Sequence, residues 1–384
     1  MKEKLLLIPG PSPVHPRIIN RLSLPTVSHV GPEMVTELRG AVENLKKIVD
    51  CAQGEAFIVA GAGTLAMEMA VLNTVARGEK ALIISHGYFG ERMVEIFKTF
   101  GLEAEVLASP WGQGIYPEEL EKKLKESSYA AVISTHVDTA TGTCAPIEQY
   151  AALLRDREEL FIVDGVCATG GIEEYMDSWG IDVILTAAQK CFGAPPGLAI
   201  LVLSPRALEK RKSMASIPAY YADLLRWLPI MQDPAKYFST PCVNEIRAFY
   251  EATLIVLEEG LEKRFERHRS TARAIRAALR EMGFTFFTRE DFLAPTLSVV
   301  RYLDGLNDKK FRQILYDRGV VVAGGLGPTA GEVFRMGHMG NLSAEQVIFA
   351  LEAIESTLIS LNFPLKPGAA VEAARSYLEG KKPS

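Results

Sequence analysis

The sequence predicts an α/β protein, with a large domain built on a mostly parallel seven-stranded sheet between helices and a smaller C-terminal α+β domain. Three observations carry this. Seven short apolar runs, at 56–59, 81–85, 105–108, 131–135, 160–164, 183–186 and 198–203, read as strands buried on both faces. Helical patterns at 33–49, 65–75, 91–97 and 117–125 alternate with the first of them, which is the rhythm of a parallel sheet covered on both sides. After residue 240 the rhythm changes. A long charge-laced helical stretch (243–282) precedes strand-like 296–300, helical 309–317, strand-like 320–323 and 333–336, and helical 344–361.

The 384 residues exceed one ordinary domain of roughly 100–200 residues. The expected division is an extended, proline-rich arm (1–16), a large domain (17–255), a small domain (256–363) and a tail (364–384). The long helix is expected to bridge the domains, and the tail to be loose with a short helix. Composition is that of a globular chain, 48% apolar and 23% charged. A net charge of −5 implies no basic face, so nucleic acids and anionic membranes are poor partners. Only four consecutive apolar residues, Leu5–Ile8, precede Pro9, too few for a signal peptide. No run approaches the roughly 18 apolar residues of a membrane span. The five cysteines (51, 144, 167, 191 and 242) are scattered, which argues against a disulfide framework or a zinc site. A cytoplasmic location is the default expectation, and no metal is expected.

Ala60-Gly-Ala-Gly-Thr-Leu-Ala66 falls between a strand and a helix. Glycines admit a tight turn, a helix start offers free N–H groups and positive dipole to a phosphate, and Thr64 adds a hydroxyl that can cap the helix. The same residues match a dinucleotide fingerprint, which needs an acidic residue about 20 positions on. The next strand ends instead in Ser85 and His86, which weakens that reading; a turn without a ligand stays open.

Leu160–Asp164 is an apolar strand that stops at a carboxylate, and Asp182–Lys190 runs into a lysine 26 positions further on. Open α/β sheets bind ligands at the edge where such residues emerge. Pyridoxal 5′-phosphate chemistry needs this pair: a lysine to hold the cofactor as a Schiff base and a carboxylate to keep the ring nitrogen protonated. The Gly61–Thr64 turn supplies a place for the phosphate. Arg335, in Val333-Phe-Arg-Met-Gly337, leaves a surface ion pair open, the commoner fate of an arginine; its apolar flanks point to a partly buried strand, where an arginine demands an anion and its fork suits a carboxylate. Cys191 is expected to pack, on the argument that neighbours in a strand face opposite ways. His86, His136 and His338 lack metal-ligand spacing and are expected to be structural.

These segments resemble the class V aminotransferases of fold type I, closest to the alanine–glyoxylate and serine–pyruvate group. The likeness runs from about Leu7 to Leu361. It is carried by Pro9-Gly-Pro-Ser12, Gly61-Ala-Gly-Thr64, Thr139-Ala-Thr-Gly142, Val163-Asp-Gly-Val166, Gln189-Lys190, Ala194-Pro-Pro-Gly197, Gly324-Gly-Leu-Gly-Pro328 and Phe334-Arg-Met-Gly337. The resemblance implies Lys190 as the Schiff-base lysine and Asp164 as partner of the pyridine nitrogen. It implies Gly63, Thr64 and Gln189 at the phosphate, and Phe89 stacked on the ring where many relatives carry tryptophan. Thr139 would meet the 3′-hydroxyl, Val166 would pack on the ring, and Arg335 would clamp the substrate carboxylate. Tyr237 and Thr240 would reach the phosphate of a second subunit, which implies a homodimer with shared sites. Thr64 stands where some relatives have histidine, and His338 where many have an aliphatic residue.

The implied reaction is transamination between alanine or serine and glyoxylate or pyruvate. The alternatives are a 2-aminoethylphosphonate–pyruvate aminotransferase and a non-catalytic scaffold that keeps the fold. Desulfurases of the same fold need a mobile cysteine late in the chain, and the last cysteine here is Cys242.

Overall fold

The structure is a computed structural model and describes residues 4–378. Its strands, in chain order, are β1 Leu5–Leu6, β2 Glu55–Ala60, β3 Lys80–Ser85, β4 Glu103–Ala108, β5 Ala131–Thr135, β6 Leu160–Asp164, β7 Val183–Ala187, β8 Leu198–Leu203, β9 Thr285–Phe286, β10 Leu297–Arg301, β11 Val320–Val321, β12 Ala323–Gly324 and β13 Val333–Gly337. The large sheet has seven strands in the order β2-β8-β7-β6-β5-β3-β4. Neighbours are parallel from β7 to β4, and β8 is antiparallel to both β7 and β2. Six strands therefore run one way, and their carboxyl ends share one edge. The strands β5 to β8 are buried along their whole length, which is why they read as continuous apolar runs without alternation.

Two hydrophobic cores divide near residue 260, with Leu7 of the arm joining the second. The first packs helices such as Pro32–Ile48, Gly63–Thr74 and Val243–Glu259 on the large sheet. The second gathers the apolar side of helix Leu261–Glu281, the four-stranded sheet β12-β13-β10-β9 and helix Ala344–Ser360. A third, smaller cluster joins them, with Val137, Cys167 and Cys191 from the large-sheet loops against Leu297, Val299 and Val333 of the small sheet.

Three expectations change. The helical stretch 243–282 is two helices, Val243–Glu259 and Leu261–Glu281, parted at Gly260 (φ 84°). A side chain is strained at that φ, so the charge periodicity carried through a residue the backbone uses to break. The segment 320–323 divides into β11, which pairs in parallel with β1 of the arm, and β12, which joins the small sheet. The tail is not loose: helix Ala369–Leu378 packs on helix Leu261–Glu281 and buries Ala370, Val371 and Ala374. Residues 379–384 of the expected tail lie outside the described residues. Among the described residues no helix is long and apolar enough to cross a membrane.

Candidate active site

The carboxyl edge of the large sheet carries most of the expected residues. Asp164 closes β6 in register with Thr135 of β5 and Leu185 of β7. Its carboxylate is buried and accepts one hydrogen bond, from Val166 N at 3.1 Å. Burial pushes its pKa up to about 7; Val166 N and the Lys190 charge pull it down, while Asp138 and Glu174 add to the rise. A carboxylate kept in this setting lacks a close cationic partner, and a protonated ring nitrogen is such a partner.

Lys190 lies in a turn beyond the end of β7 at Ala187. The alternation argument for Cys191 therefore does not apply, although Cys191 is buried in the third cluster, its thiol directed at Cys167 O. The arm closes over the lysine. Lys190 Nζ donates to Pro9 O, Ser12 Oγ donates to Lys190 O at 2.6 Å, and Ser12 N donates to Gln189 O at 3.0 Å. Gly10 sits at φ 96°, and a Cβ there would stand 2.6 Å from Lys190 Cε and 2.7 Å from Nζ. A side chain at that φ is strained, and its methyl would displace the end of the lysine. Gln189 Oε1, beside the lysine, is buried without a hydrogen-bond partner.

Gly63 opens helix Gly63–Thr74, and a Cβ on it would lie 3.1 Å from Val166, so these two are brought together. The helix is capped at Ala62 by no side chain. Thr64 is thus not the cap expected of it; it lies in the first turn, and its hydroxyl accepts from Arg92 Nη1 at 3.1 Å. The uncapped start keeps N–H groups and dipole available to an anion. Thr139 is buried, with its hydroxyl 2.9 Å from Cys167 Sγ.

Arg335, on β13, is buried, 9% exposed, and burial lowers its pKa. Nε donates to Gly324 O at 2.7 Å and Nη1 to Thr139 O at 3.2 Å. No carboxylate pairs with it among the described residues, so its buried charge lacks a counter-charge there. Two residues on, Gly337 packs against Pro9, the residue that receives Lys190 Nζ. The arm thereby ties the arginine strand to the lysine turn. Tyr237 and Thr240 stand apart. Both are exposed, 3.5 Å from each other through their hydroxyls, and no hydrogen bond among the described residues joins them to Lys190 or Asp164.

Sequence reasoning missed Asp138. Fully buried, it accepts from Phe89 N at 2.8 Å, Ala140 N at 2.9 Å and Thr141 N at 3.0 Å. One carboxylate thus fixes the start of the helix bearing Phe89 and the loop bearing Thr139. It also missed the buried pair His136–Glu174, Nδ1 to Oε1 at 2.7 Å, beside Asp164, whose carbonyl accepts from His136 N. Burial opposes charge on His136, yet Cys144 and Glu174 carry its pKa up to about 10. His338 meets Ser298 Oγ at 3.0 Å and is held well below its usual pKa by burial. His338 Nδ1 is buried without a hydrogen-bond partner, and so are both ring nitrogens of His86.

The residues present fit pyridoxal 5′-phosphate. A lysine amine, a buried carboxylate without a cationic partner and an uncapped helix start lie at one sheet edge, and an arginine without an acid partner among the described residues donates to the Thr139 loop. Comparison with known proteins agrees. The Aminotransferase class-V family model matches residues 19–342. An uncharacterized aminotransferase of Methanocaldococcus jannaschii is 38% identical, covering 98% of each chain. A soluble hydrogenase small subunit of Synechococcus is 32% identical over 98% of this chain and 99% of that one. The solved structure of ureidoglycine–glyoxylate aminotransferase from Bacillus subtilis superposes with a TM-score of 0.95 at 28% identity, covering 99% of both chains. The chain belongs to the class V aminotransferase family, and pyridoxal 5′-phosphate is its cofactor.

Proposed function

We propose that the chain transfers an amino group from a small amino acid, alanine or serine, to a 2-oxo acid, glyoxylate or pyruvate. The observation that carries this is Arg335: a buried guanidinium with no acid of its own, tied through the arm to Lys190. A lone arginine suits substrates with one carboxylate. The B. subtilis relative is named for glyoxylate, which has one.

In this reading the Arg335 fork binds the carboxylate and orients Cα toward Lys190. The Lys190 amine would hold the cofactor and is the base placed to move the proton from Cα. Asp164 holds the charge of the ring nitrogen, and the bound cofactor supplies the electron sink that makes the Cα proton removable. Gly63, Thr64 and Gln189 would hold the phosphate, Phe89 and Val166 would pack on the ring, and Thr139 would offer its hydroxyl to the ring oxygen. Tyr237 and Thr240, free on an exposed loop, serve the phosphate of a second copy, which makes the working form a homodimer.

A second reading, a scaffold subunit without catalysis, has the hydrogenase-subunit relative in its favour. The intact Lys190, Asp164 and Arg335 oppose it. One experiment separates these readings. The loaded protein is mixed with single amino acids, and loss of its visible absorption band is followed. Alanine or serine should bleach the band fastest. Bleaching by 2-aminoethylphosphonate alone would replace the proposed donor, and a protein that never colours with added pyridoxal phosphate would be a scaffold.

A further inference from the structure

Arg92 is unassigned in the reading above. It sits three positions after Phe89 on helix Tyr88–Phe100, the spacing that puts two side chains on one helix face. Its guanidinium carbon lies 4.6 Å from the centre of the Phe89 ring and 5.2 Å from that of Tyr88. Nη1 donates to the Thr64 hydroxyl at 3.1 Å, so the group is fixed at a second point. The acids nearest in sequence are engaged elsewhere: Glu91 takes Trp111 Nε1 at 2.6 Å, and Glu95 takes Lys98 at 2.6 Å. Arg92 is therefore aimed at an aromatic face rather than at a carboxylate. The Phe89 backbone is held independently, by Asp138.

We propose that Arg92 is a positioning residue, which backs one face of the Phe89 ring so that the other lies flat against the cofactor. This rests on the cofactor site proposed above. A phenyl ring turns freely about its last torsion and offers less overlap than an indole. A guanidinium stacked behind it and anchored on Thr64 limits that freedom. The arginine acts through the ring, and its contact is of the size that shifts an equilibrium about threefold to thirtyfold.

The test is a double-mutant cycle on cofactor affinity. Cofactor-free wild type, Arg92→Ala, Phe89→Ala and the double variant are each titrated with pyridoxal phosphate, and Kd is read from the absorption band. Arg92→Ala should weaken binding about tenfold in the wild-type background and less than about twofold once Phe89 is alanine. At saturation, Arg92→Ala should also alter the visible circular dichroism of the bound ring while leaving the far-ultraviolet spectrum unchanged. Arg92→Lys keeps charge and stem without the flat fork and should fall between; it carries the test if the alanine variant does not fold. Unchanged affinity in Arg92→Ala would overturn the proposal. So would a tenfold loss that persists without the Phe89 ring, since Arg92 would then touch the phosphate directly. Failure of wild type itself to take up the cofactor would instead refute the site reading.

Discussion

At the scale of single residues, Asp164 shows what the site costs the chain that carries it. Its folded pKa, about 7, stands above the roughly 3.9 of an exposed aspartate, because burial disfavours the charged form. Between those values the folded state binds the extra proton, so stability falls as pH rises through the window and the penalty is complete above about 7. Below the unfolded value the penalty is gone. Asp164→Asn should therefore raise the Tm of the cofactor-free protein at pH 8, with the gain vanishing toward pH 4, and should weaken binding of pyridoxal phosphate. Thermal unfolding across pH, with a cofactor titration beside it, checks both; a gain that did not depend on pH would remove burial of charge as the cause. Asp164 was legible because its strand stops at the carboxylate and so marks the sheet edge; Lys190 follows an apolar run too, but it stands three residues past the end of its strand, in a turn that the run does not encode. Asp138 was not legible: its role rests on a hydrogen bond to Phe89, 49 residues away. Arg92 stands at helical spacing from Phe89, but its anchor on Thr64, 28 residues away, is in no local pattern.

Elements became legible in proportion to how much of their environment is local. The strands β5 to β8 are buried on both faces, so apolar content alone marks them. Helix Tyr88–Phe100 begins three residues before its expected start at 91, since its first turn is fixed by the distant Asp138. Helix Ala369–Leu378 read as tail because the surface it covers belongs to helix Leu261–Glu281, about 100 residues earlier. The arm makes a sharper case. Its prolines announce an extended segment, but only the fold shows Gly10 against the Lys190 amine. In Gly10→Ala the left-handed backbone costs about 1–2 kcal/mol, while the new methyl meets the mobile end of the lysine. Stability should drop modestly, and the lysine should shift. Borohydride trapping followed by peptide mapping should find clearly less cofactor on Lys190 than in wild type at equal protein and cofactor. Equal labelling would show that the arm yields and that its closeness to the amine is incidental.

At the scale of the whole molecule, one buried arginine binds the two cores. Arg264 is fully buried at the start of helix Leu261–Glu281. It donates to Gly170 O at 2.7 Å and Cys191 O at 2.5 Å, both in large-sheet loops, and to Glu259 at 2.7 Å and Asn341 at 3.3 Å. Cys191 follows Lys190 directly, so this bond ties the lysine turn to the small-sheet side. Arg264→Met fills the space but leaves buried carbonyls without donors, at about 1–3 kcal/mol each. Glu259 keeps Arg267, so its charge stays paired. The expected loss is roughly 3 kcal/mol, and it falls on the contact between cores rather than inside either. Trp227 is buried in the first core and Trp179 packs against it, whereas Trp111 faces Gly327 of the small-sheet side; in a Trp111→Phe background the fluorescence follows the first core, whereas far-ultraviolet circular dichroism follows both. In urea, in that background, the two signals should coincide with Arg264 in place and separate in Arg264→Met, because uncoupled cores unfold at their own midpoints. If the variant's curves still coincided at a lower midpoint, the third cluster would be enough to hold the cores together, and Arg264 would act on stability alone.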